Sequence, residues 1–401
     1  MEIEDYINII PALSDNIQFN RLSATEFILC NTYNKHYLKI NKEVYNILCL
    51  IDGKRNFTEI SQQYTSLYQI NIPDRFICDL LINKLASYGV LKNLDERIKP
   101  YIKPSYLKLS FIIFPKNFLS KIVHYFFPLF RKNVAFFIIT TIILFTVVTV
   151  LINLDLYENF DTRTSFLSFF ILQFLSVTFH EIGHASAARY FGAEHGGIGG
   201  GFYLFKPVYY ADVTDIWKLK KNQRITVNLA GIYFELIFCF MMLSISLILS
   251  MYSLMVTSLF VMISAFFNLN PFMRSDGYWV LSDLTNKPNL SAHSRRKVIR
   301  LIKNTFLRKK NSYKLSDICM AIYGFVQILF LTLFIYYTLI KNPASIIYFP
   351  INVYDFVKKI MMGDLLSLYD FRKLIIPLVF YYLLFNFARS ILKNINKKYR
   401  I

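Results

Sequence analysis

Six apolar stretches, at 134–152, 166–190, 225–250, 253–272, 318–340 and 374–392, occupy nearly half of the chain beyond residue 130. Each comes close to the ~20 residues that a helix needs to cross the hydrocarbon core of a bilayer. Backbone N–H and C=O groups must find partners within the chain in that solvent, so these stretches predict helices. Hydrophobic residues make up 55% of the sequence and charged residues 18%, a balance shifted toward a lipid-embedded protein. The expected fold is therefore mainly α, a polytopic membrane helix bundle of about six spans. Arg131 and Lys132 precede the first span, and Asp155, Glu158 and Asp161 follow it. The positive-inside rule puts the start of that span in the cytoplasm, and an even number of spans returns the C-terminus to the same side. The tail with Lys397, Lys398 and Arg400 fits that side, whereas the lysine-bearing stretch 341–373 would have to lie outside.

The formal net charge of +19 is unevenly spread. Residues 1–100 carry 11 basic and 12 acidic side chains, and the rest of the chain 34 and 14. An excess confined to the membrane half suggests topology and lipid contact. The near-neutral first hundred residues argue against nucleic acid, whose affinity comes largely from phosphate neutralisation. That first region reads as a folded cytoplasmic domain with no signal peptide ahead of it. Strand-like pieces at 26–30 and 36–40 precede a helix at 42–51, with Val44, Ile47, Leu48 and Ile51 at helical spacing. Asp52-Gly53 stops it, Thr58 can cap a second helix, and Pro73 suits the first turn of a third. The third presents Ile77, Leu80, Leu81, Leu85 and Tyr88, and ends at Gly89 before a short strand at Val90-Leu91. Together these predict a small winged-helix α+β domain over 1–100. A linker and interfacial segment follows at 101–133, interrupted by Pro104, Pro115 and Pro128, and then a membrane domain over 134–401. The glycine-rich 196–217 is too broken to span and is expected to form a re-entrant hairpin shielded by protein. Cys30, Cys49, Cys78, Cys239 and Cys319 stand singly and argue against a disulfide framework.

Chemistry concentrates in His180-Glu181-Ile182-Gly183-His184. Residues four apart share one helix face, so both imidazoles can reach one zinc ion. Glu181 then stands beside the ion without ligating it and can take a proton from water. Two histidines and an acid in an apolar run default to a functional reading, the alternative being polar contacts between helices. A catalytic zinc needs a third protein ligand and an open position. Asp276 ends the fourth span on the side where the second ends, and Pro271 and Gly277 break the helix around it. A turn at the membrane edge is the other reading of Asp276-Gly277.

His180 to His184, together with Phe267-Asn268-Leu269, Pro271 and Asp276-Gly277, resembles the site-2 protease family of intramembrane zinc peptidases. Leu229-Ala230-Gly231 is similar to that family's helix beside the active site, although Ile232 stands where many members have proline. The resemblance covers 166–283 and implies Asp276 as the third ligand, with Asn268 and Asn270 hydrogen-bonding substrate. The stretch 199–217, with Tyr210, Asp212, Asp215 and Trp217, resembles the YydH-like branch found beside ribosomally made peptide clusters. Asp212 and Asp215 are candidates for substrate contact or for turn capping, and His195 is a candidate accessory group.

Residues 11–94 resemble PqqD-like domains, which recognise leader peptides, on Tyr37-Leu38-Lys39-Ile40, Asp52-Gly53-Lys54-Arg55 and the flanking helices. The resemblance implies an extended peptide added to the sheet edge at 36–40, touching Tyr37 and Lys39, and resting on a helix face with Ile77, Leu81 and Lys84. DNA binding, or simple packing on the membrane domain, is the alternative. The joint expectation is a zinc metallopeptidase of the bacterial cytoplasmic membrane that processes a precursor peptide recognised through its leader, with an ABC-type peptide exporter as a neighbour. Cleavage of a transmembrane signalling protein is a second reading. A non-catalytic peptide-binding export or immunity component is a third.

Overall fold

The computed structural model describes residues 9–92, 98, 108–153, 162–203, 206–272, 274–287, 289–307, 315–362, 370, 373–374 and 376–385. The contacts divide the chain into two compact units, 1–200 with 209–288, and 201–208 with 289–401.

The first unit opens with an antiparallel sheet in the order β1 (Ile17–Arg21), β2 (Glu26–Asn31), β3 (His36–Asn41). Helix α1 (Lys42–Cys49) starts where the Asn41 side chain accepts from Val44 N. Gly53, at φ 73°, makes the expected turn, and the Asp52 carboxylate accepts from Lys54 N at 2.9 Å. Helix α2 (Phe57–Tyr68) is capped by Asn56, not Thr58. Asn56 and Glu59 exchange side chain-to-backbone bonds, a reciprocal arrangement that Thr58 could not offer from inside the first turn. Helix α3 (Asp74–Cys78) continues through a wider turn, Asp79–Leu85, and a tighter one, Ala86–Tyr88. Leu29, Ile47, Leu48, Phe57, Ile60, Tyr64, Ile77 and Leu81 form one core beneath the sheet. The expected closing strand is a single antiparallel bridge between Leu91 and Leu13.

The stretch expected at the interface is described from residue 108, as strand β4 (Lys108–Phe114), helix α4 (Lys116–Ile122) and a 3-10 segment, Val123–Phe130. The glycine-rich region does fold back, as β5 (Ile198–Tyr203) and β6 (Lys206–Ala211), in a sheet ordered β4–β5–β6. The first unit also holds α5 (Lys132–Ile152), α6 (Thr162–Tyr190), α7 (Lys221–Ile248), α8 (Tyr252–Phe266) and α9 (Asp276–Thr285). Helix α7 packs on α6, α8 and α9, so it is the centre of the bundle.

In the second unit α10 (Leu290–Phe306) lies along α11 (Leu315–Tyr336), where Gly324 leaves room for the Ser294 backbone. Helices α12 (Pro343–Ile347) and α13 (Phe349–Met362) follow.

Among the described residues four helical segments are long and apolar enough to cross a membrane: Lys132–Ile152, Lys221–Ile248, Tyr252–Leu269 and Leu315–Lys341. These coincide with four of the six expected spans. Helix α6 is long enough, but its second half carries His180, Glu181, His184 and Arg189. Of the expected span at 374–392, a short apolar helix, Ile376–Phe385, is described, and 386–392 lie outside the described residues.

Candidate metal centre

Helix α6 places His180 and His184 one turn apart, with their Nε2 atoms 3.1 Å from each other. Asp276, the first residue of α9, brings Oδ2 to 3.0 Å from His180 Nε2 and Oδ1 to 3.4 Å from His184 Nε2. Donor atoms held about 2.0–2.1 Å from a tetrahedral zinc stand about 3.3–3.4 Å apart. The separations here are of that size, with one Asp276 oxygen facing each histidine, and one donor atom from each of the three residues lies within 4.8 Å of the other two. The protonation pattern fits as well. His184 Nδ1 lies 2.8 Å from the Val227 carbonyl oxygen, which can only accept, so the proton sits on Nδ1 and Nε2 keeps its lone pair. Asp276 Oδ2 is buried with no donor aimed at it. Lone pairs converging on an undonated oxygen are what a cation site requires.

Local sequence explains the convergence. A Cβ on Gly231 of α7 would stand 2.5 Å from His184 Nε2 and 2.6 Å from His180 Nε2, so only glycine lets α7 pass this close to the two Nε2 atoms. One on Gly277 would strike the Leu269 carbonyl, which explains why glycine follows Asp276 where α9 meets the turn ending α8. Further along α9, Asp283 accepts from Arg224 Nε at 2.8 Å and Asn228 Nδ2 at 3.2 Å, both on α7. Helix α9 is thus pinned two turns beyond the ligand.

Glu181 is buried beside the histidines, and its Oε2 accepts from Ala211 N at 2.6 Å, at the end of β6. The hairpin therefore aims the carboxylate. Asn268 and Asn270 lie on either side of Leu269 in the turn. Asn268 Nδ2 donates to Glu235 Oε2 at 3.3 Å, and Asn270 Oδ1 accepts from Phe272 N at 2.9 Å. Asp212 accepts from the Thr214 hydroxyl at 2.8 Å, a turn-capping arrangement. Asp215 accepts from Glu194 N and from the Tyr37 hydroxyl, both at 2.7 Å, and pairs with Lys218 at 2.6 Å. His195 is buried, with Nδ1 2.8 Å from the Gly196 carbonyl.

Tyr37 thus uses its hydroxyl against Asp215, and Lys39 pairs with Glu26 at 2.6 Å. Ile77 and Leu81 correct the sequence expectation. Both are fully buried in the core and cannot present a face to a peptide, because their helical spacing marks the inward side. Phe76, 47% exposed, is the apolar side chain that this helix turns outward. Sequence reading also passed over Glu235. It is fully buried on α7, with Oε2 3.0 Å from His180 Nδ1. An acid in the middle of an apolar span is its own signal.

No family model matches the chain. Over 114 residues it is 26% identical to "Putative peptide zinc metalloprotease protein YydH" of Bacillus subtilis (strain 168). The match spans 27% of this chain and 43% of that relative. No solved structure matches.

Proposed function

We propose that the chain is a membrane zinc metallopeptidase that hydrolyses a ribosomally made precursor peptide recognised through its leader. The observation that carries this is the convergence of His180, His184 and Asp276, one donor atom from each within 4.8 Å of the others, with Glu181 beside them. The distant likeness to a relative with a zinc metalloprotease name supports the same reaction class.

His180, His184 and Asp276 would hold the ion and leave one position open. Zinc supplies a Lewis acid that polarises a carbonyl and acidifies water. Glu181, aimed by the Ala211 N–H, takes the proton of the attacking water and returns it to the leaving amine. His184 keeps its orientation through the Val227 carbonyl. Apolar helix surfaces around the centre restrict bulk water, which strengthens each of these interactions.

For recognition, β3 is an edge strand, so a leader can add to the sheet along His36–Asn41 by backbone pairing. We assign this role to the backbone edge rather than to Ile77 and Leu81. Tethering the leader near the centre would give an effective concentration on the order of millimolar, so weak affinity suffices. The six-span arrangement with both termini in the cytoplasm, the PqqD-like character of the first hundred residues and an export transporter as neighbour belong to the same proposal.

Glu181→Gln tests the reaction. Hydrolysis of a precursor should fall by about 10²–10⁴-fold, the usual contribution of a positioned base, while zinc stays bound. Unchanged processing by this variant would end the peptidase reading.

A further inference from the structure

We propose that Glu235 is a positioning residue of the metal centre, holding the histidine arm and the aspartate arm of the ligand set in register. The inference rests on the zinc-site reading and deepens it. Glu235 sits in the interior of α7, a membrane-spanning candidate, with no exposure to solvent. A carboxylate there costs several kcal/mol unless its charge is matched, so its partners identify its task.

It has three. Oε2 lies 3.0 Å from His180 Nδ1 and also accepts from Asn268 Nδ2 at 3.3 Å, while Oε1 accepts from the Ser176 hydroxyl at 3.2 Å. Ser176 and His180 are one turn apart on α6, and Asn268 lies in the turn that leads from α8 to Asp276. One oxygen therefore touches both a ligand and the segment that delivers the other ligand. An acceptor at Nδ1 keeps the proton on that nitrogen and leaves the Nε2 lone pair facing Asp276 and His184. The charges agree. A zinc ion with two neutral imidazoles and one aspartate keeps a single positive charge, and one adjacent buried carboxylate cancels it.

The test uses the full chain in detergent. Zinc affinity is measured by competition with a chromophoric chelator, and ligand geometry by the visible absorption of the cobalt-substituted protein. Glu235→Gln should weaken zinc about tenfold and Glu235→Ala up to about a hundredfold, the range seen when such outer partners are removed. Both should shift the cobalt bands. Ser176→Ala, which reaches only Oε1, should bind zinc close to the wild-type level. If Glu235→Ala fails to fold, the near-isosteric Glu235→Gln decides. Wild-type zinc affinity and cobalt spectra in a folded Glu235→Gln would reduce Glu235 to a helix-packing group, leaving the zinc-site reading intact. A wild-type chain that binds no zinc would overturn both.

Discussion

The Val227 carbonyl admits only one tautomer of His184, and the buried Oδ2 of Asp276 waits on no proton donor. At this scale protonation is set by what each group faces, and Cys30 shows the same rule outside that cluster. Burial pushes its thiol up to about 11, against a weak opposing contact from Asn20. The folded chain thus holds this proton where an unfolded chain would lose it near pH 9. Its stabilising contribution is fully present below that value and is lost as the pH rises through about 11. Iodoacetamide at pH 8 should therefore spare Cys30 while labelling the exposed Cys49. Mass mapping that finds Cys30 labelled as fast as Cys49 would contradict its placement. The pairing of His180 with His184 was legible from the sequence because residues four apart share a face of a helix. The apolar period of Ile77 and Leu81 was equally legible but points inward, and reading it as a ligand face mistook core for surface. Asn268 was legible as a polar residue in a functional turn, yet its bond goes to Glu235, a partner that only the packing of α7 reveals.

Among elements, the meeting of α6 with α9 depends on α7, which carries Gly231 against the histidine Nε2 atoms and Arg224 and Asn228 against Asp283. Arg224 is almost fully buried, so its charge needs the Asp283 carboxylate. Asp283→Ala would strand it and should cost about 3–5 kcal/mol, the usual penalty for breaking a buried pair. Thermal unfolding of the full chain in detergent should show a melting point several degrees lower. A melting point equal to wild type would show that α9 is held by other contacts. The helix break at Pro271 and Gly277 was readable in the sequence, as was the return of the glycine-rich segment. The β4–β5–β6 sheet was not, because β4 pairs across some ninety residues with β5 and its apolar side chains look interfacial on their own. Likewise Asn56 wins over Thr58 as cap through a side chain-to-backbone exchange with Glu59.

For the whole molecule, the basic excess lies beyond residue 100, as do the four helical segments among the described residues that are long and apolar enough to cross a membrane. The centre is built where apolar helices are interrupted: at the polar end of α6, at Glu235 inside α7 and at the turn after α8. Without a cation, Asp276, Glu181 and Glu235 would crowd three acids around two imidazoles in a buried space. A divalent ion relieves that repulsion. Zinc content of the purified full chain, compared with that of Asp276→Ala by elemental analysis after dialysis, tests this most directly. One zinc per wild-type chain and a largely empty Asp276→Ala chain is the expected pair of results. A wild-type chain without zinc, or an Asp276→Ala chain that keeps it as firmly, would contradict the three-ligand centre.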